Sequence, residues 1–284
     1  MINEYFQFPL GNFKCVSLLD GEVGYQLEAM VNNASRAEVE AVLKAKNMPV
    51  DLIVTPYAYL LVDAGKHRVL VDTGAGNMAE TTGKLMRNLR AAGILPESID
   101  SIFITHAHPD HIGGVLNGQG KPAFPAATHY LCRAEWEFWF SELADSLKPN
   151  WMAEFSRNRL APIEDRTVLI DQGGEILPGV STLFAPGHTP GHMVVSFCSG
   201  QEQLLYIGDT VLHPLHLEHP EWLPVYDVLV DQAETSKRRI FDLAATSGSW
   251  VLGQHFPPFP SLGHVAKTDR GWEWQPVVVT TPES

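Results

Sequence analysis

The sequence is poor in cysteine, in positive charge and in long apolar runs, and each shortage excludes something. Three cysteines in 284 residues, Cys15, Cys132 and Cys198, are odd in number, widely spaced and form no C-x-x-C. They predict small buried side chains in a reducing compartment, not a disulfide framework. Twenty Lys and Arg against 33 Asp and Glu leave a formal charge of −13. A nucleic-acid partner needs clustered cations, so that class is set aside. No window approaches the roughly eighteen consecutive apolar residues of a membrane span. The opening MINEYFQFPLGNF has neither the basic start nor the apolar stretch of a secretory leader. The expectation is a cytoplasmic protein with no membrane or nucleic-acid partner. Low-complexity tracts, long linkers and convincing repeats are missing too, so 1–284 is expected to form a single domain. With 45% apolar residues the chain has ample material for a core.

What is concentrated in one place is histidine. Thr105-His106-Ala107-His108-Pro109-Asp110-His111 packs three imidazoles and a carboxylate together. That ligand set suits zinc and other first-row metals in hydrolytic sites. His106 and His108 are two apart, so on an extended chain they face the same side and can hold one metal. Pro109 biases His108 towards an extended conformation. It also helps turn the chain, which would let Asp110 and His111 face a second metal.

Apolar runs bounded by turn residues predict strands at Phe13–Leu19, Leu52–Val62, Val69–Val71, Ser101–Thr105, Thr128–Cys132, Val180–Phe184, Met193–Phe197, Leu204–Ile207 and Trp250–Leu252. Helical patterns fall between them. Ser35 caps a helix over Arg36–Ala45 with Glu38 three residues on, Lys84–Ala92 stops at Gly93, and Gln232–Ala245 aligns Ile240, Leu243 and Ala244. Interleaved strands and helices mean an α/β layer architecture. Short apolar strands run repeatedly into loops carrying Asp or His, in VLVDTG, IFITHAHPDH, LYIGDT and WVLGQH. Ligands are thus expected to converge from several strand ends on one edge. Ala134–Phe155 is rich in aromatics, including Trp136 and Trp139. It reads either as a helix pair packed on the core or as a wall of a substrate pocket.

The run His106-x-His108-x-Asp110-His111, then Pro186-Gly-His188-Thr-Pro-Gly-His192, Gly208-Asp209-Thr and Gly253-Gln-His255, with Asp72 in Val71-Asp-Thr-Gly, resembles in order the motifs of the metallo-β-lactamase fold superfamily. The likeness covers roughly residues 50–270 and implies a four-layer αββα sandwich. It implies two divalent metal ions, zinc first, with Mn, Fe or Co as alternatives. One is assigned His106, His108 and His192, the other Asp110, His111 and His255, with Asp209 between them. Spacing alone does not choose between His188 and His192; the resemblance is read as making His192 the ligand and His188 structural. Asp72 resembles the buried carboxylate that orients ligand loops, against the simpler reading of a turn residue. Oxygen-reducing diiron relatives have Glu where this chain has His108, which favours hydrolysis.

Two metals can share a hydroxide near neutral pH, so the resemblance implies a hydrolase of ester-type bonds, with Asp209 holding both metals and Asp110 passing a proton to the leaving group. The segments Gly208-Asp-Thr-Val-Leu-His213-Pro and His255-Phe-Pro-Pro-Phe-Pro-Ser-Leu-Gly-His264 are similar to a branch containing methyl parathion hydrolase and quorum-quenching lactonases. A lactone or carboxylic ester with an apolar acyl or aryl group is the expected substrate. A phosphotriester is the alternative, and a non-catalytic metal-binding sensor of the same fold the distant one. His213, Trp136 and Trp139 are candidate pocket residues; His67, His129 and His264 are expected to be structural. A homodimer is a further expectation, through the 134–155 region or the first fifty residues.

Overall fold

The computed structural model describes residues 4–147, 149–171 and 173–279. Its frame is two seven-stranded sheets. The first holds β1 (Tyr5–Leu10), β2 (Phe13–Gln26), β3 (Leu52–Asp63), β4 (Arg68–Val71), β5 (Ser101–Phe103), β6 (Thr128–Cys132) and β7 (Thr167–Ile170) in chain order. Pairing is antiparallel from β1 to β4 and parallel from β4 to β7. The second holds β8 (Gly174–Leu177), β9 (Val180–Phe184), β10 (Met193–Ser199), β11 (Glu202–Tyr206), β12 (Trp250–Leu252), β13 (Leu262–Lys267) and β14 (Trp272–Pro276). All its pairs are antiparallel except β11 with β12.

Alternation along the strands dictates the layers. On β3, Ala58, Leu60 and Val62 enter the core between the sheets, where they meet Val195, Phe197, Leu204 and Tyr206. The intervening Tyr57, Tyr59 and Leu61 enter a second core with Leu89, Phe138, Trp139 and Leu160, under helices Leu85–Ala91, Arg133–Trp139 and Trp151–Leu160. Strands covered on both faces need apolar residues at every position, which is why Tyr57–Val62 reads as a continuous run. On the far side, Val194, Leu205 and Val251 pack against Ile240, Phe241 and Ala244 of helix Val230–Ser247. The result is helix, sheet, sheet, helix: the αββα sandwich.

Local chemistry accounts for one helix start directly. Helix Arg36–Ala45 starts where the Ser35 side chain accepts the Glu38 amide. Leu243, expected on the buried face of the long helix, is instead partly exposed, because Phe241 takes the core position. No described helix is long and apolar enough to cross a membrane.

Candidate metal centre and its cavity

The ligand-bearing loops leave the C-terminal ends of β5, β9, β11 and β12, so the sandwich itself brings them to one edge. Two groups of four side chains assemble there: His106, His108, His188 and Asp209, and Asp110, His111, Asp209 and His255. Within each group the donor atoms lie within 4.8 Å of one another, and all seven residues are buried.

Asp209 belongs to both groups and divides its oxygens between them. Its Oδ2 lies 3.3 Å from His188 Nε2 and 3.8 Å from His106 Nε2, while its Oδ1 lies 3.3 Å from His111 Nε2 and 3.2 Å from His255 Nε2. Asp110 Oδ2 faces His111 Nε2 at 3.6 Å and His255 Nε2 at 3.4 Å. His108 Nδ1 lies 3.0 Å from His106 Nε2 and 2.8 Å from His188 Nε2. Three imidazole nitrogens and a carboxylate oxygen sharing one small volume have more lone pairs than protons to satisfy them. The buried His111 Nε2 and Asp209 Oδ1 have no hydrogen-bond partner. A buried polar atom left so is costly unless something else, here a cation, completes it. The residues fit two metal ions.

Carboxylates behind the rings aim them. Asp72 holds a left-handed backbone, φ 59°, and its buried carboxylate accepts from the Thr105 amide and hydroxyl at 2.8 Å each. It also holds His111 Nδ1 at 2.8 Å, which turns Nε2 towards Asp209 and Asp110. A non-glycine residue in that conformation is strained, so the surrounding fold must enforce it. Asp227 does the same for His188, at 2.9 Å from Nδ1.

Burial holds His106 and His108 well below the ordinary imidazole value, keeping their lone pairs free. His188 and His255 go the other way. Burial opposes it, but Asp209 with Asp227 for the first, and Asp209 with Asp110 for the second, lift both to about 9. A metal ion held by these two rings would have to displace their protons.

One ligand assignment needs correction: His188, not His192, joins His106, His108 and Asp209. Residues 186–192 form the loop between β9 and β10. The Ala185 amide donates to the His192 carbonyl, so His192 sits at the hairpin root and His188 nearer the tip. His192 Nε2 accepts the Asp209 amide at 3.0 Å and packs on Gly208, where a Cβ would come within 2.8 Å of it. Its ring thus supports the loop that carries Asp209.

Above the centre opens a cavity of about 250 Å³. Its floor is His108, Asp110, His188, Asp209 and His255; its walls are Tyr25, Tyr57, Met78, Pro109, Pro149, Trp151, Met152, Leu212 and Tyr226. The three expected pocket residues lie elsewhere. Trp139 is fully buried behind the centre, with its indole N–H donated to Glu135 at 2.6 Å and its ring edge-on to His108. Trp136 stacks on Phe140, 4.7 Å between centroids. His213 Nδ1 accepts the Leu215 amide at 3.2 Å, at the start of the short helix Leu215–Glu218. The 134–155 region does reach the cavity, through Trp151 and Met152. Tyr25 and Tyr57 come from β2 and β3 with their hydroxyls hydrogen-bonded together, and no sequence pattern marked them.

A model described as the Metallo-beta-lactamase superfamily matches residues 52–252. The chain is 25% identical over 233 residues to the N-acyl homoserine lactonase AttM of Azorhizobium caulinodans, spanning 74% of this chain and 82% of that one. Among solved structures it is similar to AidC, a dizinc quorum-quenching lactonase in complex with a product, with a TM-score of 0.92 and 30% identity over 98% of each chain. Hydrolase AbOPH of the beta lactamase superfamily aligns with a TM-score of 0.90 and 27% identity, over 99% of this chain and 100% of that one.

Proposed function

Because the chain belongs to the metallo-beta-lactamase superfamily, we propose that it is a dinuclear metal-dependent hydrolase of an ester-type bond, a lactone or carboxylic ester first. The observation that carries this reading is a shared carboxylate, Asp209, between two four-residue donor sets at the floor of a largely apolar cavity. The lining includes no Lys or Arg among the described residues. A neutral ester with an apolar acyl or aryl group buries that group against Trp151, Met152 and Leu212. The similarity to AidC, described as a dizinc lactonase, supports zinc and a lactone.

Two divalent ions, when bound here, would supply a Lewis acid for the carbonyl and lower the pKa of water towards neutrality. The chain's own residues do the rest. Asp209, Asp110 and the five imidazoles His106, His108, His111, His188 and His255 would hold the ions. Asp110 faces both the centre and the cavity, placed to take the proton released by the attacking water and return it to the leaving oxygen. Burial and the nearby Asp110 carboxylate hold the Tyr25 and Tyr57 phenols well above their ordinary value, so both stay protonated. One of the two protons is used within the pair; the other is free to donate to a substrate oxygen.

The test is the initial rate of metal-loaded protein on an acyl-homoserine lactone, with Asp209→Ala as control. Turnover well above the control supports a lactonase. No turnover with two metals bound moves the substrate to an aryl ester or a phosphotriester, and no metal-dependent turnover on any of these leaves a binding protein.

A further inference from the structure

We propose that Glu135 is a positioning residue that sets the spacing of one metal pocket, the one made by His106, His108, His188 and Asp209. This rests on the dinuclear reading above. Glu135 lies in the first turn of helix Arg133–Trp139 and is fully buried. Its Oε1 accepts the Ala107 amide at 2.9 Å and the Trp139 indole N–H at 2.6 Å. Its Oε2 accepts the Thr189 hydroxyl at 2.6 Å and the Gly191 amide at 3.0 Å. Ala107 stands between His106 and His108, and Thr189 directly follows His188. One carboxylate thus ties together the two loops that bring three imidazoles to the same volume.

The chemistry calls for a carboxylate. Four donors converge, three of them N–H groups that cannot reverse their role, and a carboxylate offers two oxygens that both accept. A glutamine offers one accepting oxygen and an NH₂ group that would face the Gly191 N–H. The loop approach is equally specific, since a Cβ at Gly191 would lie 2.2 Å from the Glu135 amide nitrogen. The same carboxylate fixes the Trp139 indole, whose ring stands edge-on to His108 at 5.5 Å. The other donor set is held differently: His111 by Asp72, and His255 by the turn in which the Phe256 amide donates to the Gly253 carbonyl. Glu135 bonds to neither of those segments.

The prediction is selective damage. Metal-free protein is titrated with Co²⁺, following the ligand-field absorption and the affinity of each equivalent. Unmodified protein takes up two equivalents. Glu135→Gln weakens one of them about 10- to 100-fold, the usual effect of removing a partner behind a ligand, and leaves the other within about twofold. On a His255→Ala background, which disables the other pocket, Glu135→Gln weakens the remaining equivalent by the same factor. Thr189→Val, which removes a single bond, gives a smaller loss in the same equivalent and keeps the test open if Glu135→Gln does not fold. Two equally tight equivalents in Glu135→Gln overturn the role of Glu135 alone. Equal weakening of both, with a lowered melting temperature, overturns it too and makes Glu135 a fold-holding group. Fewer than two equivalents in the unmodified protein contradict the dinuclear reading itself.

Discussion

The floor of the cavity and its walls are built in opposite ways. The floor comes from loops at four strand ends, each carrying His or Asp in a fixed local order: His106 to His111 after β5, His188 after β9, Asp209 after β11 and His255 after β12. The walls come from scattered places, Tyr25 on β2, Tyr57 within β3, Trp151 and Met152 at the start of a helix, and Leu212 and Tyr226 in loops. The floor needs particular donor atoms aimed at one point, so substitutions there should change chemistry. The walls need bulk and apolarity, so substitutions there should change which substrate fits.

The largest effect sharpens the floor itself. His188→Ala removes a donor from the centre and should lower kcat/KM by about 1,000-fold, since a well-placed metal is worth several kcal/mol in the transition state. His192→Ala, whose ring only braces the Asp209 loop, should cost far less and retain both metals. Equal losses in the two variants, read by turnover and metal content together, would return His192 to the ligand set. Next comes Asp110→Asn, which keeps the shape of the residue but not its basicity. It should lower kcat by about 100- to 10,000-fold, the range for a lost acid–base group, with metal still bound. Unchanged turnover excludes Asp110 from proton transfer.

A wall residue should behave otherwise. Trp151→Ala should raise KM for an ester with a long apolar acyl group by about tenfold, the worth of one aromatic contact, with kcat nearly unchanged. Trp136→Ala, away from the cavity, should leave KM alone; a similar rise in both variants would erase the distinction between wall and core. The smallest effect concerns a histidine outside the site. His129 is buried on β6 with neither ring nitrogen hydrogen-bonded, and burial pushes it from 6.5 down to about 4. As pH falls the unfolded chain takes up this proton first, so the stability owed to the neutral ring is present above about pH 6.5 and lost towards pH 4. His129→Leu should flatten the fall in melting temperature over that window without touching activity; an unchanged slope assigns the acid sensitivity to other groups.

The same contrast explains what was legible in the residues alone. β6, β9 and β12 run where their apolar stretches predict, and Ser35 opens its helix as its side chain requires. β2 extends to Gln26, well past Leu19, because pairing with the long β3 overrides the glycines and polar residues of its second half. β1, β7, β8, β13 and β14 carry weak or mixed patterns; four of them are edge strands and β13 lies next to one, where burial asks less of the sequence. In the site, metal ligands announce themselves because few residue types will serve. His188 and His192 did not separate, since both follow a glycine in one short loop and only the hairpin register distinguishes tip from root. Trp139 and Trp151 look equally like pocket residues in sequence; a hydrogen bond to Glu135 commits the first to the core. Asp227 and Glu135 gave no signal at all, because their partners are distant in sequence and ordinary in type.

The most direct measurement is metal content per chain, by mass spectrometry after loading and exhaustive dialysis, for the unmodified protein and Asp209→Ala. A centre in which one carboxylate gives an oxygen to each of two donor sets predicts two ions in the first and at most one in the second. A single ion in the unmodified protein, or two held as tightly without Asp209, would contradict it.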